Sequence, residues 1–225
     1  LYGFTNTLVD LLSKQSPSHI AVVFDTKAAT ERHKIFPEYK AQRDAMPEDL
    51  SIALPEVKRI IKAFNIPVIE RDGFEADDMV GIAKDYFESQ GMEAVISSPD
   101  KDVLQQIPGK HYNYQKAEFV ETTAEDAKKF LWKQVLMGDS TDGIPGIPGL
   151  GPKTADAIID NMPKSKLAYH EVVLSQYTAK FKMQEGVKRF AETFQLVYIL
   201  KNKEDLSEDL YEFAFNQVKP EDVWE

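Results

Sequence analysis

Hydrophobic positions recur along the chain with spacings that predict helices alternating with strands. In residues 3–15 the apolar side chains stand at i, i+4, i+7 and i+8, which is typical of an amphipathic helix. The run HIAVVFD at 19–25 is short, apolar and rich in β-branched residues, so it predicts a strand. The chain therefore opens with one helix followed by one strand.

The same alternation continues through the next part of the chain. The spacing predicts a helix over 48–64, a strand over 66–70, a helix over 75–89 and a strand over 93–98. Strands separated by helices indicate a parallel-rich central sheet flanked by helices, which is an α/β fold. From about residue 122 the pattern is almost entirely helical, so we expect an α/β core over 1–121 and a helical lobe over 122–225, packed as one compact unit.

Composition narrows the class of protein. The 225 residues include no cysteine, which excludes disulfides and thiolate metal sites and fits a reducing cytoplasm. No apolar run approaches the roughly 20 residues that a membrane helix needs, so we expect no membrane partner. The formal net charge of -10, taken alone, argues against nucleic acid. Carboxylates that hold metal ions do not face a ligand as bare charge, however, so the position of the acids matters more than their number.

Acidic residues concentrate where predicted elements begin or end. One ends the first predicted strand, three begin the helix at 75–89, two follow the strand at 93–98, and two follow a predicted helix at 124–137: Asp25, Glu75, Asp77, Asp78, Asp100, Asp102, Asp139 and Asp142. In an open parallel sheet, ligands bind beyond the carboxyl ends of the strands. Carboxylates gathered there would repel one another without cations, and Mg²⁺ prefers oxygen ligands. The pattern predicts a two-Mg²⁺ site suited to phosphodiester cleavage, whereas each cluster alone could equally be a helix cap or a solvated surface.

A basic and aromatic stretch, ERHKIFPEYKAQRD, follows the first predicted strand. It includes Arg32, Tyr39, Lys40 and Arg43, and Lys40 and Arg43 would share a face if this part is helical. Cations can contact phosphates, and an aromatic ring can stack on an unpaired base. We interpret the stretch as a substrate-binding segment; the alternative is an ordinary polar surface loop.

A glycine-rich loop, GIPGLGPKTA, lies between two predicted helices. Gly146, Gly149 and Gly151 would let backbone N–H groups approach a phosphate, and Lys153 and Thr154 open the second helix, whose N-terminus attracts anions. Such a hairpin would grip a DNA backbone without reading its sequence. The alternative is a tight turn with no ligand. The spacing does not match a nucleotide-binding P-loop.

Taken in order, five motifs resemble the 5′-nuclease superfamily, which includes the 5′→3′ exonuclease domain of bacterial DNA polymerase I, phage 5′ exonucleases and flap endonucleases. The motifs are VVFD, RHKIFPEYKAQRD, GFEADDMVG, SPDKD and GDSTDGIPGIPGLGPKTA. The resemblance runs from residue 1 to about residue 162. The later segment VKRFAETFQLVYIL is more similar to stand-alone phage-type members than to a linker into a polymerase.

The resemblance implies a fold, an activity and a set of site residues. The fold would be PIN-like or resolvase-like, with a helix–three-turn–helix lobe, and the activity would be metal-dependent hydrolysis of DNA at 5′ ends or flaps. The eight carboxylates would hold two Mg²⁺ ions, with Mn²⁺ as a substitute, and Asp25, Lys40 and Arg43 would be catalytic. Lys40 and Arg43 would lie in the helical arch or clamp.

The resemblance also implies partners and a location. DNA contacts would come from the basic stretch and the glycine hairpin, in many members with a bound K⁺, through Arg32, Tyr39, Lys40, Arg43, Gly146, Gly149, Gly151, Lys153 and Thr154. The partner would be flapped, branched or nicked duplex DNA, with a DNA polymerase as a further candidate, in a bacterial or phage-encoded cytoplasmic protein.

The chain departs from the family pattern in two ways. The family begins with a strand that ends in a metal-binding Asp, whereas LYGFTNTLVDLL resembles the first helix after it, so that strand either lies upstream of residue 1 or is absent. Gly143 stands where many members carry Asn. A DNA-junction binding module without catalysis is therefore the main alternative, and a PIN-like ribonuclease is a third, against which the glycine hairpin argues.

Overall fold

The alternation of helices and strands is present in the computed structural model, which describes residues 1–162 and 169–201. In chain order its elements are α1 (Tyr2–Gln15), β1 (Val22–Val23), α2 (Glu31–Ile35), α3 (Glu48–Ala63), β2 (Val68–Ile69), α4 (Ala76–Ser89), β3 (Val95–Ser97), α5 (Lys101–Gln106), β4 (Gly109–Asn113), β5 (Glu118–Thr122), α6 (Ala124–Met137), β6 (Gly138–Asp139), β7 (Ile144–Pro145), α7 (Pro152–Asp160), α8 (Tyr169–Phe181) and α9 (Met183–Val197).

The long amphipathic segments were predicted well and the short elements were not. The helices predicted over 3–15, 48–64, 75–89 and 124–137 correspond to α1, α3, α4 and α6. Each predicted strand is shorter than expected, because only its central residues pair with a neighbour. The helices α2 and α5 and the strands β4 and β5 were not predicted; each has only five or six residues, which is too short for a clear periodicity.

Parallel pairing is present, but in two small sheets. β1 pairs in parallel with β2, with Val22 opposite Val68, and β3 pairs in parallel with β4, with Val95 opposite Lys110. β5 adds to β4 in antiparallel orientation, and β6 and β7 form a separate two-stranded ladder. The predicted α/β class is confirmed. Helix α4 packs against both β1 and β3, so its N-terminus lies near the ends of both parallel pairs.

Three clusters of buried side chains hold the described parts together. The largest gathers around α6, α8 and α9 and includes Val135, Tyr177 and, from the basic stretch, Tyr39. A second joins α1 and α3 to β1 and β2, and a third joins β3 and α5 to Ile199. The segment after α9 thus returns to the α/β part, while the basic stretch reaches the helical part.

The division into lobes at residue 121 stays a prediction. The helical character expected of 163–168 and 202–225 falls outside the described residues. Within the described ranges, none of the helices combines the length and the apolar character needed to cross a membrane.

Candidate metal and nucleic-acid site

The N-terminus of α4 gathers the first group of carboxylates. Glu75 is its N-cap and forms a capping box with Asp78, whose Oδ2 accepts a hydrogen bond from the Glu75 backbone N–H at 3.3 Å. Asp25, which follows β1, accepts from the backbone N–H of Ala76 at 2.8 Å. Asp77 lies in the first turn of the helix. The sequence GFEADD therefore caps a helix and carries acidic groups to the end of the first parallel pair.

The second group stands at the start of α5. Asp100 is its N-cap and accepts from the backbone N–H of Asp102 at 2.7 Å. The Oδ1 atom of Asp102 accepts a hydrogen bond from Gln134 Nε2 of α6 at 3.0 Å. Burial is the largest cause that raises the pKa of Asp102 to about 6; Lys101 opposes the rise, and three carboxylates add to it: Asp100, Asp139 and Asp142.

The third group belongs to the loop that follows α6. Asp139 accepts from the backbone N–H of Thr141 at 2.7 Å, which closes a local turn. Asp142 accepts from the hydroxyl of Tyr39 at 3.3 Å and from the guanidinium of Arg43. This loop therefore faces the basic stretch directly.

The three groups form one electrostatically connected site. The pKa of Asp77 is raised to about 7, chiefly by burial. The negative charges of four neighbouring carboxylates raise it further: Asp100, Glu75, Asp25 and Asp78. Through Asp77 and Asp102, all eight predicted carboxylates are linked. The eight carboxylates thus lie within electrostatic reach of Asp77 or Asp102, and their role as metal ligands stays a prediction.

The chemistry of this donor set fits a hard divalent cation. All the predicted ligands are carboxylate oxygens. Burial, and after it the charge of the neighbouring carboxylates, raises the pKa values of Asp77 and Asp102, and a divalent cation would counteract both causes. Across residues 1–162 and 169–201, no three such side chains already surround a common point as a bound ion requires. Several of the oxygens are instead directed at protein donors, so metal binding would require them to turn.

Lys40 and Arg43 neutralise part of this charge. Lys40 Nζ lies 2.5 Å from Glu75 Oε1 and 3.9 Å from Asp142 Oδ2, and the guanidinium of Arg43 pairs with Asp142. Residues 37–42 form turns, and Lys40 has a φ of 58°, so the helical face expected for Lys40 and Arg43 is absent. Both cations nevertheless lie at the carboxylates, where a phosphate held by metal ions would also lie.

Arg32 is not available for the DNA contact that the sequence predicted. Its side chain is only 9% exposed, and its guanidinium pairs with both oxygens of Asp78 at 2.5 and 2.8 Å. It also donates to the carbonyls of Leu196 and Tyr198, at 3.0 and 2.6 Å. Asp78 is 2% exposed and pairs with Arg32. It is therefore a buried counter-ion of Arg32 rather than the metal ligand expected from the sequence.

Tyr39 also differs from its predicted role. The residue is 3% exposed, and its ring belongs to the buried cluster of the helical part, so it cannot stack on a base. Its hydroxyl lies 3.0 Å from Glu75 Oε2 and 3.3 Å from Asp142 Oδ2, so its single proton is shared between the two carboxylates. Burial, followed by the charge of Glu75, raises the pKa of this phenol, so it remains a hydrogen-bond donor.

The glycine loop divides into a packed half and an open half. A Cβ atom on Gly146 would lie 2.0 Å from the backbone carbon of Met137, so this glycine permits the close approach of β6 and β7 rather than a phosphate contact. Gly149 has a φ of 84° and, like Gly151, has open space around its Cβ position. Gly151 is the N-cap of α7, and Lys153 and Thr154 are exposed in its first turn.

Two glutamines support the site and were not singled out from the sequence. Gln42 Nε2 donates to the carbonyl of Thr141 at 2.9 Å, which ties the basic stretch to the loop after α6. Gln134 is buried on the apolar face of α6, where it reaches Asp102. The sequence offered one signal for Gln134, because it is a polar residue among the apolar positions of a predicted helix. It offered no signal that Gln42 would contact the site.

Comparison with known proteins identifies relatives that match most of the chain. The sequence model of a family described as "5'-3' exonuclease, N-terminal resolvase-like domain" matches residues 1–132. A "5'-3' exonuclease" of Aquifex aeolicus (strain VF5) is 33% identical over 214 residues, which is 92% of this chain and 68% of the relative. A "DNA polymerase I" of Caldicellulosiruptor bescii is 31% identical over 200 residues, which is 83% of this chain and only 24% of the polymerase.

Solved structures share the fold. The T5 D15 protein co-crystallised with metal ions has a TM-score of 0.63 at 17% identity, with 94% of this chain and 89% of that chain covered. The catalytic core of Rad2 in complex with a DNA substrate has a TM-score of 0.51 at 19% identity, with 98% of this chain and 71% of that chain covered. At these identities the likeness concerns the fold, and it agrees with the predicted PIN-like or resolvase-like class.

Proposed function

Because this chain belongs to the 5′-3′ exonuclease family, we propose that it is a structure-specific, divalent-metal-dependent 5′→3′ exonuclease or flap endonuclease. Its substrate would be DNA with a free 5′ end, a flap, a branch or a nick, and its reaction would be hydrolysis of a phosphodiester bond. The observation that carries this proposal is the convergence of eight carboxylates beside Lys40 and Arg43. Structural relatives support it: the T5 D15 flap endonuclease, solved with DNA and metal ions, and the catalytic core of Rad2, solved with a DNA substrate.

The carboxylates of α4, α5 and the loop after α6 would hold two Mg²⁺ ions, for which Mn²⁺ could substitute. Asp25, Glu75, Asp77, Asp100, Asp102, Asp139 and Asp142 are the candidate ligands, and Asp78 would support them from its ion pair with Arg32. When bound, a pair of divalent ions supplies an activated water and stabilises the leaving oxygen. Lys40 and Arg43 would then exchange their carboxylate partners for the scissile phosphate, where a cation stabilises the charge that develops during reaction.

The open half of the glycine loop would hold the DNA duplex away from the scissile bond. Backbone N–H groups near Gly149 and Gly151 and the N-terminus of α7 suit a phosphate, with a K⁺ ion as a further candidate at this hairpin. Lys153 and Thr154 are exposed beside them. Contacts of this kind bind the backbone without reading bases.

A DNA polymerase, in the same gene or in a replication complex, is a candidate partner because polymerase I chains are among the relatives.

We expect the full-length protein to cleave a 5′-end-labelled flap duplex in Mg²⁺, near the junction, and to lose this activity in EDTA. The reason is that the carboxylates cannot provide the chemistry that divalent ions supply. Product lengths on a denaturing gel measure the cleavage position. Salt-sensitive binding of the flap without cleavage in either Mg²⁺ or Mn²⁺ would instead favour the junction-binding alternative.

Replacing Lys153 with alanine is expected to weaken duplex binding and to reduce the slope of log K against log salt by about 1, because one phosphate contact is lost. Fluorescence anisotropy at several KCl concentrations in EDTA measures this slope without cleavage. The matched control is Lys14→Ala on α1, which removes a lysine that pairs with Asp10. An identical slope for Lys153→Ala and wild type would count against the hairpin as a phosphate site.

A further inference from the structure

Tyr39 joins two parts of the site that come from distant segments of the chain. Its ring packs in the cluster around α6, α8 and α9, and it meets His33 edge-on with ring centroids 5.3 Å apart. Its hydroxyl emerges from this apolar setting between Glu75, at the start of α4, and Asp142, in the loop after α6. A rigid ring thus fixes one donor between two acidic side chains.

The hydroxyl of Tyr39 and the ammonium group of Lys40 contact different oxygens of Glu75. It approaches Glu75 Oε2 at 3.0 Å and Asp142 Oδ2 at 3.3 Å, while Lys40 Nζ approaches the other oxygen of Glu75 at 2.5 Å. Oε2 of Glu75 also lies 3.4 Å from the guanidinium of Arg32, but Arg32 makes no contact with Asp142 among these hydrogen bonds and ion pairs, whereas Tyr39 reaches both carboxylates. If Lys40 turns to a phosphate, Tyr39 is the side chain that still links Glu75 to Asp142.

We propose that Tyr39 is a positioning residue whose hydroxyl holds Glu75 and Asp142 at the spacing that a divalent cation requires. This inference rests on the proposed function, because it concerns the same carboxylates. Hydrogen-bonding partners that orient metal-binding side chains contribute to affinity although they do not touch the ion. Tyr39 would act in this way, through the carboxylates and without contacting DNA.

The burial of the Tyr39 ring distinguishes a positioning role from base stacking. A ring that is 3% exposed offers no face to a nucleobase, whereas the hydroxyl already contacts both carboxylates. Tyr39→Phe removes the hydroxyl and keeps the ring, so it tests the hydrogen bonds alone. A positioning role predicts weaker Mg²⁺ binding, and a stacking role predicts no change in this variant.

Tyr177 provides a matched control in the same buried cluster. It is 1% exposed, and its hydroxyl donates to the carbonyl of Val135 at 2.6 Å. Tyr177→Phe therefore also removes one buried hydroxyl and leaves a ring in place, but away from the carboxylates. Both variants are expected to lower the melting temperature in EDTA, because each removes a buried hydrogen-bond donor.

The experiment is isothermal titration of Mg²⁺ into the full-length wild type, Tyr39→Phe and Tyr177→Phe, with flap cleavage measured in parallel. We expect Tyr39→Phe to weaken Mg²⁺ binding by about 10- to 100-fold and Tyr177→Phe to leave it unchanged. At saturating Mg²⁺ the KM of Tyr39→Phe for the flap should stay near that of wild type, while kcat falls.

The possible outcomes separate the inference from the function on which it rests. Wild type that neither binds Mg²⁺ nor cleaves the flap would overturn the proposed function itself. Wild type that does both, with Tyr39→Phe of equal or higher Mg²⁺ affinity, would overturn the positioning role alone. A melting temperature lowered in Tyr39→Phe with unchanged Mg²⁺ affinity would likewise assign the hydroxyl to stability only.

Discussion

Replacing Asp139 with asparagine is expected to reduce DNA cleavage by at least about 100-fold, while DNA binding changes little. Loss of a side chain that only supports a metal ligand lowers activity by up to about 100-fold, and loss of a ligand itself should have at least that effect. The substitution removes a negative charge from the proposed metal site. It keeps an oxygen at Oδ1, which can still accept the hydrogen bond from the backbone N–H of Thr141 that is 2.7 Å long in the native turn. The local fold should therefore survive, and the loss should concern chemistry.

Single-turnover cleavage of the flap in Mg²⁺ and anisotropy of the same flap in EDTA measure the two effects separately. Asp10→Asn on α1 is the control for the chemical change, because Asp10 is exposed and pairs only with Lys14 among the contacts described for it. It should leave both quantities unchanged. Equal losses of cleavage and binding in Asp139→Asn would show that Asp139 supports DNA contact or folding, and would refute its role as a metal ligand.

The carboxylates could be predicted from the sequence because their positions depend on local rules. Asp100 and Glu75 cap helices, and acids in those positions are recognisable from the sequence alone. The edge of a parallel sheet then brings such caps together. The prediction required only that strands and long helices be recognised, and those elements have a strong periodicity.

The roles of Arg32 and Tyr39 could not be read in the same way. Both stand in a polar stretch that looks like a surface loop, and burial of such residues depends on segments far along the chain. Arg32 is buried because Asp78 and the carbonyls of Leu196 and Tyr198 provide its partners. No spacing within residues 31–44 carries that information, since the partners arrive through tertiary packing.

The glycines show the same limit. Gly146 and Gly149 look equivalent in GIPGLG, but Gly146 meets the backbone of Met137 and Gly149 faces open space. The difference arises because Gly146 follows β7, which pairs with β6. A two-residue ladder leaves no periodic signal, so the sequence predicted one shared role, whereas Gly146 has a packing role and a phosphate contact at Gly149 stays a proposal.

Replacing Arg32 with methionine is expected to lower the free energy of unfolding by about 3–5 kcal/mol, because it leaves Asp78 charged and buried without its partner. Asp78 would keep its hydrogen bonds from the backbone N–H groups of Leu200 and Glu75, at 3.0 and 3.3 Å, but these do not neutralise its charge. For a chain of this length the loss corresponds to a fall in melting temperature of roughly 6–20 °C.

Thermal and urea unfolding in EDTA measure the effect without a contribution from metal binding. Arg59→Met is the control, because Arg59 forms an ion pair with Glu56 on the surface of α3, where its own side chain is 78% exposed. Exposed pairs contribute about 0–1 kcal/mol, so this variant should unfold almost as the wild type does. Equal stability of both variants would mean that the Arg32–Asp78 pair is exchangeable with solvent, which would restore Arg32 as a candidate for DNA contact.

A double replacement decides whether the cost comes from the unpaired charge or from lost hydrogen bonds. Arg32→Met combined with Asp78→Leu removes both charges, and a buried ion pair replaced by apolar side chains is often neutral in stability. Recovery of most of the lost free energy in the double variant would assign the cost to the charge of Asp78. A loss as large as that of Arg32→Met alone would assign it to lost hydrogen bonds: those from Arg32 to Leu196 and Tyr198, which tie the end of α9 to α2, and those that Asp78 accepts from backbone N–H groups. In either case the pair holds the segment after α9 against α4, whose N-cap is Glu75 and whose first turn includes Asp77, and so connects the helical part of the fold to the carboxylates.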